Sequence, residues 1–305
     1  MFKQRPYRGD ADKILMLETA HHAGPTATHV VDLPYRLSSW SLDDPENVGL
    51  WEDETGKLAA WATFQFPMWF VDVAFDVRYD SPELQSQVLA WVDEKAAGWA
   101  VTSKARPCWF INVYSSQSGF IARLEQAGFR SQENVPGNPW SKVALELARP
   151  LLDPGPLPEG FSIRPLKGQA ELEAAVALHR ACFDSGNMTL AWRERLIQAP
   201  HYRPDLDLVV EALDGRLAGF WLGWFDQAGP GGQPTGQVEP MGVHPDFRQL
   251  GLGRKVLIAG LHNLKAAGAA SIIVETDDYR NAAHSLYLSA GFELVQKVLI
   301  YRKNF

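Results

Sequence analysis

Residues 244–257 read HPDFRQLGLGRKVL, with two glycines one residue apart, an arginine on either side and an apolar run behind them. A strand that feeds a glycine-rich turn and then a helix leaves the first amide N–H groups of that helix unpaired and converging on one point, where the helix dipole adds partial positive charge. Gly251 and Gly253 let the backbone approach a bulky anion with no Cβ in the way. Arg248 and Arg254 flank them with charge, and Gln249, Leu250 and Leu252 complete the loop and the first helical turn. Such a turn suits a phosphate or pyrophosphate. It lacks the GK[S/T] of a Walker A loop, and it lacks the third glycine and following acidic residue of a dinucleotide fingerprint. The GxG by itself is equally compatible with a plain turn that caps a helix.

The elements that must position this turn follow from periodicity. FSIRPL (161–166) alternates as a strand, AELEAAVALHRACF (170–183) has its apolar residues at helical spacing, and LAWRERLIQ (190–198) predicts a second helix. GQVEPMGV (236–243) is a strand leading into the loop, and in GRKVLIAGLHNLKAAG the residues Val256, Leu257, Leu261 and Leu264 form one helical stripe. SIIVETD, NAAHSLYLSAG and ELVQKVLIYRK add strand, helix and strand. The order βααββ(β)αβαβ predicts an α/β fold with a mixed sheet and helices on both faces.

The same plan occurs twice. FKQRP at 2–6 recurs as FSIRP at 161–165, and WEDETGKLAAW at 51–61 lies over VEALDGRLAGF at 210–220, both at an offset of 159 residues. LEQAGF (124–129) and YLSAGF (287–292) follow at an offset of 163. Three matches in order at nearly constant offset indicate a duplication. RPLLDPGPLPEG, 149–160, reads as a linker between a first domain at 1–148 and a second at 161–305. The 305 residues, 46% hydrophobic with 11 Trp and 15 Phe, predict a globular chain with ample core.

A net charge of −7 with no Lys/Arg-rich run argues against nucleic acid. The absence of a long apolar stretch argues against a membrane span or a secretory leader. Cys108 and Cys182 stand alone, with no metal-type spacing, so reduced thiols, a cytoplasmic setting and no metal are expected.

The segment Val238–Phe292 resembles the GNAT superfamily of acyl-CoA N-acyltransferases. Its pyrophosphate loop, Q/R-x-x-G-x-G/A after a strand ending V-x-P, is met by Val243, Pro245, Arg248, Gly251 and Gly253. A second motif, x-x-A-x-x-L-Y-x-x-x-G-F, is met by Ala283, Leu286, Tyr287, Gly291 and Phe292. The resemblance implies two tandem GNAT-like domains and acetyl-CoA as co-substrate. It further implies transfer to a primary amine of a small molecule or peptide, by a monomer or homodimer.

The pyrophosphate would sit on the 248–254 loop, and the pantetheine arm along 237–243 on the N–H groups of Met241, Gly242 and Val243. Tyr287 takes the general-acid position. Glu239 is the candidate base, placed by simple strand alternation on one face with Gln237, Met241 and Val243. The family's Asn, seven residues before the tyrosine, is replaced by Arg280, with Asn281 displaced by one, so either could touch the co-substrate. A non-catalytic acyl-CoA sensor is the alternative function. The first half lacks the loop, has Leu124 in the tyrosine slot and carries eight of the Trp residues, among them Trp51, Trp61, Trp69 and Trp109, in an aromatic cleft or an ordinary core.

Overall fold

The computed structural model describes residues 2–24 and 27–305. They form two compact units. The first comprises the chain up to Val143 with Asp277–Tyr279 and Gln296–Phe305, and the second Ala144–Thr276 with Arg280–Val295.

In the first unit, strands β1 (Lys3–Pro6), β2 (Val48–Glu52), β3 (Leu58–Gln65) and β4 (Phe70–Phe75) pair antiparallel in sequence order. β4 and β5 (Cys108–Tyr114) are parallel neighbours. Helices α1 (Asp10–His22), α2 (Leu33–Leu37), α3 (Pro82–Trp99) and α4 (Ser118–Gln126) complete it, with a short strand β6 (Arg130–Ser131). Trp51, Trp91, Trp99 and Trp109 lie in one buried cluster with Phe64 and Phe129. Trp61 is buried in a neighbouring cluster, and Trp69 is 38% exposed. Most of the aromatic surface of this half is therefore core.

The second unit repeats the order with β8 (Phe161–Pro165), α5 (Leu172–Phe183), α6 (Leu190–Gln198), β9 (Asp207–Ala212), β10 (Leu217–Asp226), β11 (Thr235–Val243), α7 (Leu252–Ala266), β12 (Ser271–Asp277) and α8 (Asn281–Ser289). Its sheet runs β12-β11-β10-β9-β8, parallel between β11 and β12 and antiparallel elsewhere. Both units are thus mixed sheets flanked by helices. Val256, Leu257, Leu261 and Leu264 of α7 are all buried, as their stripe requires. No described helix is long and apolar enough to cross a membrane.

The duplication is visible in side-chain detail. Arg5 donates through both terminal nitrogens to Asp12 (2.8 and 2.7 Å) and through Nε to Glu52, while the N–H of Arg8 donates to the same aspartate at 2.6 Å. At the same offset, Arg164 donates to Glu171 (2.8 and 2.6 Å) and through Nε to Glu211 at 2.8 Å, and the N–H of Lys167 donates to Glu171 at 2.9 Å. One arginine thereby clips the first strand and the second strand of each repeat to the first helix, at Asp12 inside α1 and at Glu171 immediately before α5. Hydrogen bonds from Arg164 hold Glu171 down at about 2.

The repeats exchange their last strands. β13 (Phe292–Asn304) begins in the second unit, and from Val298 to Asn304 it pairs with β5 of the first, with β6 also on β13. β7 (Ser141–Leu147) joins β12 in the second unit, where Ser271 Oγ donates to Glu146 at 2.6 Å. A linear division at 149–160 does not anticipate this exchange, because a strand's own pattern does not name its partner. Val298, Leu299, Ile300 and Tyr301 are buried, and each buried side chain of this kind contributes roughly 1.5–3 kcal/mol. A chain ending at Val295 is therefore expected to lose hydrogen-exchange protection in β5 and α4 of the first unit while α7 and β9 keep theirs. Unchanged protection of β5 would contradict the exchange.

Candidate active site

β11 carries the site, and its course is set by one extra residue. Trp224 of β10 faces Gln237, Gly223 faces Val238 and Trp221 faces Met241, so Glu239 and Pro240 together oppose Leu222. This β-bulge reverses the alternation of everything after it. A Cβ on Gly236 would meet Leu264 of α7, one on Gly242 would meet Cys182 of α5, and Val243 turns back to α7, 3.4 Å from a Cβ at Gly253. Simple alternation is therefore corrected: Gln237 lies on the opposite face from Met241 and Val243.

β12 pairs with β11 only from Thr235/Ser271 to Val238/Val274, after which the two part. His244 N–H donates to the carbonyl of Ala218 at 2.9 Å, so His244 and its ladder neighbour Gly242 turn toward β10. Met241 and Val243, which alternate with them, turn their N–H groups toward the gap left by β12. A row of amide donors lines a cleft between diverging strands.

The loop closes that cleft at one end. Gln249 and Gly251 have φ of 65° and 77°, and Gly251 caps α7 with no side-chain hydrogen bond. The first intrahelical bond is Lys255 N–H to Gly251 O at 3.3 Å, so the amides of Leu252, Gly253 and Arg254 have no acceptor within the helix. A Cβ on Gly251 would meet nothing within 4 Å, so the turn opens onto free space. Arg248 donates through Nε to Val243 O at 3.2 Å and through one terminal nitrogen to Cys182 O at 3.1 Å, tying loop, strand and α5 together. His244 accepts from Asp246 N–H at 3.2 Å and caps the short turn before the loop. The cradle fits an anion: uncapped amides, a glycine facing open space and retained positive charge.

Tyr287 of α8 is buried against Phe292, with ring centroids 5.7 Å apart. Burial, and then the neighbouring Glu239 carboxylate, pushes its phenol well above the usual range, while Arg280 opposes. Tyr287, Glu239 and Arg280 thus share one electrostatic neighbourhood. Asn281 is exposed at the start of α8 and Ala283 is half-buried.

The Acetyltransferase (GNAT) family model matches residues 172–292, from the start of α5 to the first residue of β13. A mycothiol acetyltransferase of Acidothermus cellulolyticus is 32% identical over 264 residues, covering 72% of this chain and 80% of that protein. The chain belongs to the GNAT acetyltransferase family. A mycothiol acetyltransferase of Thermobispora bispora is 34% identical over 171 residues, 53% of this chain and 58% of its own. The chain spans about half the length of the first curated relatives it matches, with 58%, 38% and 52% covered. A tandem GNAT protein from the clavulanic acid biosynthesis pathway has the same fold, with a TM-score of 0.64 at 12% identity, covering 100% of this chain and 98% of that one.

Three features of this GNAT unit escaped the sequence reading. Trp224 Nε1 donates to the carbonyl of Glu239 inside the bulge at 2.7 Å. Cys182 packs over Gly242, and burial pushes its thiol up to about 12, with Arg248 opposing. His179 lies between the rings of Phe183 (4.7 Å) and Phe220 (5.6 Å), and burial, then Arg193 and Arg180, pull it down to about 4. Their only sequence signal is position on an element, which does not specify contacts across the sheet.

The raised phenol of Tyr287 has a direct readout. In an ultraviolet titration from pH ~8 to ~11, where an ordinary tyrosine ionises, the folded Tyr287→Phe variant should show the same phenolate absorbance as wild type. Loss of one ionising equivalent near pH ~10 would contradict the burial argument.

Proposed function

We propose that the chain is an acetyl-CoA-dependent N-acetyltransferase that moves the acetyl group directly to a primary amine of a small molecule, with the reaction carried by the second unit. The supporting observation is the convergence on one cleft of an uncapped helix start, the outward N–H groups of Met241 and Val243, and buried Tyr287 in the electrostatic neighbourhood of half-buried Glu239.

Gly251 to Arg254 would hold the pyrophosphate with backbone amides, assisted by Arg248 and Arg254, and Met241 and Val243 would hold the pantetheine arm. The co-substrate supplies an activated thioester. The amine lone pair forms the C–N bond as the C–S bond breaks, and the N–H groups at β11 stabilise the negative charge that develops on the carbonyl oxygen. Tyr287 gives its proton to the departing thiolate. A phenol held neutral by burial is suited to that role across the working range. Glu239 takes the proton of the amine, directly or through water.

Acetyl transfer to the acceptor of the mycothiol acetyltransferases is the narrower reading. It is favoured by a relative of that name aligned over 80% of its length. The acceptor pocket would involve the segment FDSGNMTLAW, 183–192, which runs from the end of α5 into the start of α6.

Acetyl-CoA should bind once per chain by calorimetry. Gly253→Val, which extends a side chain between Val243 and Leu286, should weaken binding by at least about tenfold, roughly 1.4 kcal/mol, at a near-wild-type melting temperature. Two equivalent sites, or unchanged affinity, would reject the assignment of the cradle.

Tyr287→Phe keeps the ring and removes the proton, so kcat should fall by about 10²-fold, the lower end for positioned acid catalysis, with acetyl-CoA affinity little changed. Thiol release from acetyl-CoA, screened across an amine panel that includes the mycothiol acetyltransferase acceptor, checks it. Equal turnover by the variant would remove Tyr287 from the mechanism.

A further inference from the structure

Trp224 has no place in the mechanism above, yet it touches the backbone that the mechanism depends on. It is 1% exposed, and its indole N–H donates to the Glu239 carbonyl at 2.7 Å, at the one point where β11 leaves the ladder of β10. A bulge leaves an extra residue outside the ladder, so its carbonyl must find a donor elsewhere when buried.

The first repeat provides an internal comparison. β3 and β4 pair without interruption from Ala60/Phe75 to Gln65/Phe70. The equivalent span on β10 and β11, from Gly219/Val243 to Trp224/Gln237, contains one residue more on β11. The position of Trp224 is taken in the first repeat by Gln65, whose side chain accepts from Ser39 Oγ at 2.8 Å and donates to Arg36 O at 3.4 Å, and no bulge is present there. Indole donor and bulge occur together in the unit that has the glycine loop, and neither occurs at the equivalent position of the other, where Gln65 stands and β3 and β4 pair one to one.

We propose that Trp224 is a positioning residue: its N–H latches the bulge and so fixes where Glu239 points and which way Met241 and Val243 turn their N–H groups. The catalytic part of this statement rests on the proposed acetyl transfer, whereas the latch itself does not. The indole acts through the Glu239 carbonyl.

The test replaces Trp224 by phenylalanine and, keeping the bicyclic shape, by benzothienylalanine, in which sulfur stands where the N–H was. Amide exchange of residues 238–243 should accelerate several-fold in both variants, with β9 and α7 unchanged. Turnover should fall about 5- to 20-fold at a near-wild-type melting temperature. The limb of the kcat–pH profile that Glu239→Gln abolishes should shift. Wild-type exchange at 238–243 in the benzothienyl variant overturns the latch. Accelerated exchange with unchanged kcat and pH profile overturns its role in the reaction. If Glu239→Gln leaves turnover intact, the assignment of the base fails instead, and exchange still decides the latch.

Discussion

One residue more on β11 than on β10 organises the second unit. The bulge at Glu239–Pro240 reverses the faces of the strand, so Met241 and Val243 come to face α7 while Gly242 lies under Cys182. It falls immediately after Val238, the last residue that β11 shares with β12, so the strand bends where its second neighbour departs. Backbone donors that would be consumed in a continuous sheet are thereby presented in a cleft. The acetyl transfer proposed for the start of α7 and the phenol of Tyr287 depends on that cleft. Arg248, bonded to Val243 O and Cys182 O, ties the loop to the end of the bent strand.

The first unit shows what the same scaffold becomes without this constraint. β4 and β5 pair only at Phe70 and Phe110 before parting, yet the space beyond is used internally. Arg36 donates to both oxygens of buried Asp72 at 2.8 and 2.6 Å, and His29 meets Asn112 at 3.1 Å. Ser81 accepts from Leu84 N–H and caps α3, whereas α7 begins at an uncapped glycine. Side chains satisfy in one repeat polar groups that stay uncapped at the start of α7 in the other. Removing either member of a buried ion pair such as Arg36–Asp72 costs about 3–5 kcal/mol, which commits this region to structure.

What the repeats share is the frame. The arginine clips at Arg5 and Arg164 and the turn glycines Gly56 and Gly215, with φ of 82° and 83°, stand at equal offsets. The clip joins three elements of one repeat and survives in both copies, while the loop, the bulge and the tyrosine stand in one.

The sequence by itself determined the order of elements, the duplication and the GNAT family, and it marked the glycine turn at the start of α7. Each of these is a local matter: periodicity places α5, α7 and β12, and glycine spacing marks a turn whose φ of 77° at Gly251 favours a residue without Cβ. Tertiary structure alone decided the bulge, the exchange of β7 and β13, and the electrostatic proximity of Glu239 to Tyr287. Strand alternation assumes one residue opposite one, and GQVEPMGV gives no count of its partner, so the face of Gln237 was read wrongly. Strand exchange and the indole bond from Trp224 likewise join residues far apart in the chain, where pairing is set by the free energy of the assembled sheet and not by any segment's own pattern.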